Sequence, residues 1–268
     1  MSKQELTAKF VAACRWAIAR PSYMLLTASD EALSAQAPRR FANAWAGVMV
    51  LSFALGVLLA ALWGLSWRLF RESDILFMPA GVTLVVFVLW PFRRGISALT
   101  EIIAGPGATH RGVVSALLVG MLTLCLLGLR RNHYHGEAPL PGLLAWVRPS
   151  VELYRVLILM PFWGGWGMLI VGQFCRPTGN TEPAVAAFVR GYGPMATAAC
   201  MLAPAMLTWG YFHFLNGWWT TMPAVTIVAA IAGGIAAARR TGGLKRSTLL
   251  ATNVLTQVAF MLTYLANR

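Results

Sequence analysis

Three stretches of the chain set arginine or lysine among glycines: "RRGISALTEIIAGPGATHRG" (93–112), "RPTGNTEPAVAAFVRGYG" (176–193) and "RRTGGLKRST" (239–248). Glycine allows a backbone to approach an anion closely, and guanidinium forks match phosphate oxygens, so three such stretches on one face would build a phosphate-binding mouth. Arg93, Arg94, Arg111, Arg176 and Lys245 are the cations this pattern offers. The first stretch also carries one carboxylate, Glu101, and reads either as a working catalytic loop or as the remains of one. A separate stretch, "RRNHYHGE" (130–137), holds His133, His135 and Glu137. A His-X-His pair beside a carboxylate begins a zinc or copper site, but no third and fourth ligands follow within the loop, so it reads better as polar outer loop.

The elements that must position these residues are membrane helices. Of 268 residues 58% are hydrophobic and 12% charged. A bilayer core takes about 20 apolar residues per helix, and backbone groups inside it must be satisfied within the segment. Uncharged runs predict spans at 44–67, 75–92, 112–129, 156–175, 194–216, 218–238 and 248–266, the second and third being short. Trp45, Trp63, Trp67, Trp90, Trp209, Trp218 and Trp219 fall near predicted ends, as an aromatic belt would. Prolines and the run "PFWGGWG" (161–167) are read as sites of close helix packing. His213, within the fifth run, is read as a packing residue near the interface. The fold class expected is all-α: a polytopic integral membrane helix bundle of about seven transmembrane helices, preceded by an amphipathic interfacial helix.

Residues 1–40 form the predicted cytoplasmic amino-terminal segment and linker, and 41–268 the transmembrane domain. Leu6, Phe10, Ala13 and Ala17 recur at helical spacing, with Lys3, Lys9, Arg15 and Arg20 elsewhere around the turn. The net charge of +13 lies in short loops, so it reads as the positive-inside rule rather than as nucleic-acid binding. Seven spans with the amino terminus inside put more of the cations on the cytoplasmic side. Cys14, Cys125, Cys175 and Cys200 show no close pairing and read as small apolar packers. A transporter is disfavoured, because the predicted spans hold no charged residue and no inverted repeat is visible.

The order of segments resembles the cobalamin synthase family, adenosylcobinamide-GDP ribazoletransferase. "FANAWAGVMVLSFALGVLLAAL" is similar to its glycine-punctuated first span, and "LWPFRRGISALTEIIAG" occupies the place of its signature loop. "HRGVVSALLVGMLTLCLLGL" takes the place of the next span, and "LILMPFWGGWGMLIVGQFCRPTGN" resembles its glycine-tryptophan span and Arg-Pro turn. "GGLKRSTLLATNVLTQVAFML" keeps the paired glycines and Thr-Leu spacing of the last loop and helix. The resemblance implies a bacterial inner-membrane enzyme that joins ribazole to adenosylcobinamide-GDP, releases GMP and uses Mg²⁺.

This chain departs from that pattern where the family carries its acids. The signature loop of the family has a His and several Asp residues; here the His position is Ser97 and Glu101 stands alone. Ser247 stands where the last loop has Asp, and Thr178 where the turn after the fourth span has Glu, with Glu182 nearby. The resemblance therefore leaves Glu101 and Glu182 as the catalytic candidates, Glu101 as the metal ligand, and Mg²⁺ as the cofactor of an active form. Catalysis is expected to be weakened or lost, with a phosphorylated or nucleotide-bearing amphiphile still bound. The alternative is a non-enzymatic membrane scaffold or assembly partner. The bilayer is the expected partner, no nucleic acid is expected, and oligomerisation is left open.

Overall fold

The computed structural model describes residues 20–70, 78–89, 92–105, 107–131, 151–179, 181–213 and 218–267, all of them in helices, turns or connecting loops apart from one bridge residue at 151. The expectations about Leu6 to Ala17, Cys14, Trp90 and the His133/His135/Glu137 loop lie outside these residues. After a helix whose described part is 20–27 come α1 (Asp30–Ser34), a 3-10 turn (Pro38–Phe41), α2 (Ala44–Leu69), α3 (Met78–Leu89), α4 (Arg93–Ala104) and α5 (Arg111–Arg131). Then follow α6 (Glu152–Phe174), α7 (Pro183–Arg190), α8 (Pro194–Phe212), α9 (Trp218–Thr241) and α10 (Arg246–Ala266). Six of these, α2, α5, α6, α8, α9 and α10, are long and apolar enough to cross a membrane. The chain is an all-α, multi-pass membrane bundle.

The second expected span, 75–92, is represented by α3, whose 12 described residues reach only about 18 Å at 1.5 Å per residue. It nevertheless lies on the return path. α2 starts beside Ser22, whose hydroxyl donates to Ala44 O at 2.9 Å, and α4 starts beside Thr27, whose carbonyl accepts from Arg94 Nε at 2.9 Å. The chain therefore leaves and regains the same end of the bundle between Ala44 and Arg93.

α6 is the central helix. In its most apolar stretch 89% of residues are buried, against 17% for the peripheral α5. Lipid tails are as apolar as leucine, so helices associate by close packing and hydrogen bonds rather than by the hydrophobic effect. The glycines of "PFWGGWG" provide the approach, Gly164 and Gly167 toward α10 and Gly165 toward α2. A Cβ at Gly164 would lie 2.9 Å from Asn253 O of α10, and at Gly165 it would run into Ser52 of α2. Facing them, Gly56 of α2 would meet the Ile158 backbone. Buried side chains complete the joints: Trp163 Nε1 donates to Thr208 Oγ1 at 3.0 Å, and Trp166 Nε1 to Thr197 O at 3.1 Å. Pro161 sits inside α6 without ending it.

Several expectations change. The stretch at 93–104 is a helix rather than a loop, because Gly95, Ile96, Ala98, Leu99 and Ile102 form a buried face while Arg93, Ser97 and Glu101 are exposed at every fourth position. The stretch at 176–193 likewise contains α7. Within residues 21–40, Leu25, Leu26 and Leu33 enter the core, as does Phe41 just after them. Trp63 is fully buried within the bundle. α6 begins at Glu152, four residues before the predicted span, and so includes the buried Glu152 and Arg155. Tyr264 OH donates to Glu152 Oε2 at 2.9 Å, and Arg155 Nη1 to Tyr211 O at 2.9 Å. Cys125 is buried, Cys175 and Cys200 half-buried, and all three are free thiols. His213 is exposed at the end of α8, with its ring against Trp209.

Overpacking a tight helix contact costs about 1–3 kcal/mol, so Gly56→Ala is expected to lower the melting temperature in detergent. Gly120→Ala on α5, where a Cβ meets nothing within 4 Å, is expected to be neutral or to stabilise by up to about 1 kcal/mol through helix propensity. Thermal unfolding followed by circular dichroism compares the two.

Candidate functional site

The end of the bundle where α4 begins is also where α9 gives way to α10. Thr181 Oγ1 donates to Leu244 O at 2.7 Å, and Thr178 packs against Gly243, so the connection before α7 meets the α9–α10 turn. That turn depends on glycine: Gly242 and Gly243 have φ of 72° and 135°, values that side chains rarely adopt. The three glycine-containing stretches picked out by sequence thus share one end of the molecule.

Between the end of α4 and the start of α10 lies a cavity of about 620 Å³, lined by Glu101 to Gly105, Arg240, Thr241, Lys245 and Ser247. Pockets that hold small ligands run from about 300 to 1,000 Å³. One wall is the apolar edge Ile102, Ile103 and Ala104; the other is polar. Ile103 is 46% exposed, so this apolar wall is open to contact. The geometry suits an amphiphile, with its polar end inside.

Electrostatics favour an anion. The last carbonyls of α4 carry the negative pole of that helix, and Arg240 Nη1 covers them, donating to Ile102 O at 2.9 Å and Ile103 O at 3.3 Å. The opposite wall is the start of α10, a positive pole with Lys245 at its first position. Glu101, the one carboxylate among the lining residues, has Oε1 3.6 Å from Arg111 Nη2, in a pair about half exposed on both sides. Such a pair contributes about 0–1 kcal/mol, so it orients Glu101 more than it stabilises the fold.

A resident Mg²⁺ does not fit this donor set. Hard cations take several oxygens, and Mg²⁺ is bound by carboxylates together with substrate phosphates. Here a single carboxylate already faces a guanidinium, and two more cations line the same cavity. Among the described residues no three His, Cys, Asp or Glu side chains come together as a metal would need.

The other predicted residues divide. Lys245 and Glu101 line the cavity, and Arg111 borders it through Glu101. Glu182 is outside the lining: its Oε2 accepts from the backbone N–H of Arg246 at 3.3 Å, at the first turn of α10. A lysine ammonium carries only donors and cannot cap a helix start, so Glu182 supplies the acceptor from another element. Arg94 turns away to Thr27 O and Asp30. Arg93 and Arg176 are exposed and line no part of the cavity. Sequence reasoning missed Arg240, whose carbonyl partners lie 138 and 137 residues earlier. The available signal was only its place in the last turn of a helix, where a cation meets the last carbonyls.

No family model matches the chain, no curated protein does, and no solved structure matches its fold.

Glu182→Ala removes a cap acceptor, a change that costs about 0.5–2 kcal/mol. A lower melting temperature is the expected result, with Glu182→Gln in between, and chemical denaturation in detergent measures it.

Proposed function

We propose that the protein binds a phosphorylated or nucleotide-bearing amphiphile in the cavity between α4 and α10, as a diverged cobalamin-synthase-like protein whose transferase chemistry is weakened or lost. One observation carries the reading: residues 101–105 and 240–247, far apart in sequence, enclose one cavity with Arg240 and Lys245 in its lining. The resemblance assigns the family's signature loop and last loop to these same two stretches. Phosphoryl transfer depends on positioning and on neutralising charge, and in this cavity side-chain cations remain to grip an anion while the acids that would hold a metal are reduced to Glu101. The excess of Arg and Lys at this end of the bundle supports placing it, and the amino terminus, on the cytoplasmic side of a bacterial inner membrane.

The roles follow from the contacts. Lys245 and the free donors of Arg240 take phosphate oxygens; Ser247 offers a hydroxyl, that of Thr241 being bonded to Ala237 O and Gly243 O; Ile102 and Ile103 lie along an apolar tail. Glu101 and Arg111 close the rim.

Purified protein in detergent, titrated with GDP, farnesyl diphosphate and adenosylcobinamide-GDP, is expected to show saturable thermal stabilisation by at least one of them. Arg240→Ala and Lys245→Ala should each weaken binding about 10- to 100-fold, the equivalent of a lost hydrogen bond to a charged group. Mg²⁺ should leave the affinity unchanged. Turnover of adenosylcobinamide-GDP with ribazole and Mg²⁺, abolished by Glu101→Ala, would overturn the loss of catalysis; no saturable shift with any probe would leave the scaffold reading instead.

A further inference from the structure

The segment before the first membrane helix is tied to both walls of the cavity. The helix described over 20–27 ends there, and of its last carbonyls Met24 O still accepts from Ala28 N–H at 3.0 Å. Two arginines from distant elements meet them. Arg246 Nε donates to Leu25 O at 2.8 Å and Nη2 to Met24 O at 3.1 Å, while Arg94 Nε donates to Thr27 O at 2.9 Å. Asp30 joins the two arginines: its Oδ1 lies 2.7 Å from Arg246 Nη1 and 4.0 Å from Arg94 Nη1. The Arg246 side chain is only 3% exposed, whereas that of Asp30 is 78% exposed.

These arginines occupy particular places. Arg94 lies in the first turn of α4, the helix whose other end forms the apolar wall. Arg246 lies between Lys245 and Ser247, both of which line the cavity, and its side chain points the opposite way. Gripping Arg246 therefore fixes the direction in which its two neighbours face.

We propose that residues 24–30 act as a staple across α4 and α10 that sets the cavity opening, with Arg94 and Arg246 as positioning residues and Asp30 as their shared anchor. A guanidinium serves because its planar fork reaches two carbonyls and a carboxylate together, which a lysine ammonium does not do in the same geometry. The proposal rests on the cavity being the ligand site for its consequence: a ligand that prefers the closed cavity tightens the staple, and a tight staple raises affinity by the same factor.

The test separates the two ideas, because its main readout needs no ligand. In full-length protein with Cys14, Cys125, Cys175 and Cys200 replaced by serine, a thiol is placed in the wall by Ser247→Cys and its maleimide labelling rate is measured in detergent. Asp30→Asn is expected to raise that rate about tenfold, on the scale of a lost charge-assisted hydrogen bond, and Asp30→Glu to keep it near the starting value. Arg94→Gln should act in the same direction. Gly56→Ala, which loosens the bundle away from the staple, supplies the control for general destabilisation. A rate unmoved by Asp30→Asn and Arg94→Gln, or raised as much by Gly56→Ala, overturns the staple. Faster labelling in protein that binds none of GDP, farnesyl diphosphate and adenosylcobinamide-GDP keeps the staple and overturns the ligand site; tight binding with unmoved labelling does the reverse.

Discussion

The close backbone approach of α6 to α2 and α10 is the constraint from which the rest of the structure follows. Within lipid there is no solvent to drive apolar faces together, so contact area and satisfied polar atoms must do so. Gly164 and Gly165 let the backbones of α10 and α2 come where any side chain would collide, and Gly56 does the same from the α2 side. With α10 held against α6, the height of its first turn is set, and with it the position of Lys245 and Ser247. Gly95 then seats α4 on α10, where a Cβ would stand 3.0 Å from Leu250 O. The cavity is the space left between an amphipathic helix that stops and a membrane helix that starts.

That origin explains its charge. The end of one helix and the beginning of another present opposite poles, and an empty cavity between them would have no preference. Arg240 removes the negative side by covering the carbonyls of Ile102 and Ile103, and since the Glu182 carboxylate already meets the first turn of α10, the side chains of Arg240 and Lys245 tip the cavity toward an anion. Glu101 does not reverse the balance, because Arg111 stands against it. A cation-binding centre would need additional carboxylates at Ser247 or Thr178, where the resemblance places them, and a His at Ser97. Of these, Ser247 lines the cavity and Thr178 packs beside it on Gly243.

The sequence made the long helices legible because apolar runs of bilayer length have few other solutions. It also grouped the three glycine-containing stretches correctly at one end, since alternating spans return every second connection to the same side. It failed where amphipathic pattern and polarity pull apart. Residues 93–104 looked like loop because Arg93, Arg94, Ser97 and Glu101 are polar, yet the intervening residues keep the spacing of a one-sided helix. Glu152 and Arg155 were excluded from a span by their charge, and are kept in it by Tyr264 and Tyr211, partners that no local pattern displays. The roles of Asp30 and Arg240 were unreadable for the same reason, since each depends on contacts made across more than a hundred residues.

The polar first turn of α6 bears on how the chain is built. Tyr211 and Tyr264 are synthesised 56 and 112 residues after the side chains they meet. The Arg155–Tyr211 and Glu152–Tyr264 bonds are therefore made late in synthesis, and the polar joint at the start of the central helix is completed only once the carboxy-terminal helix is in place.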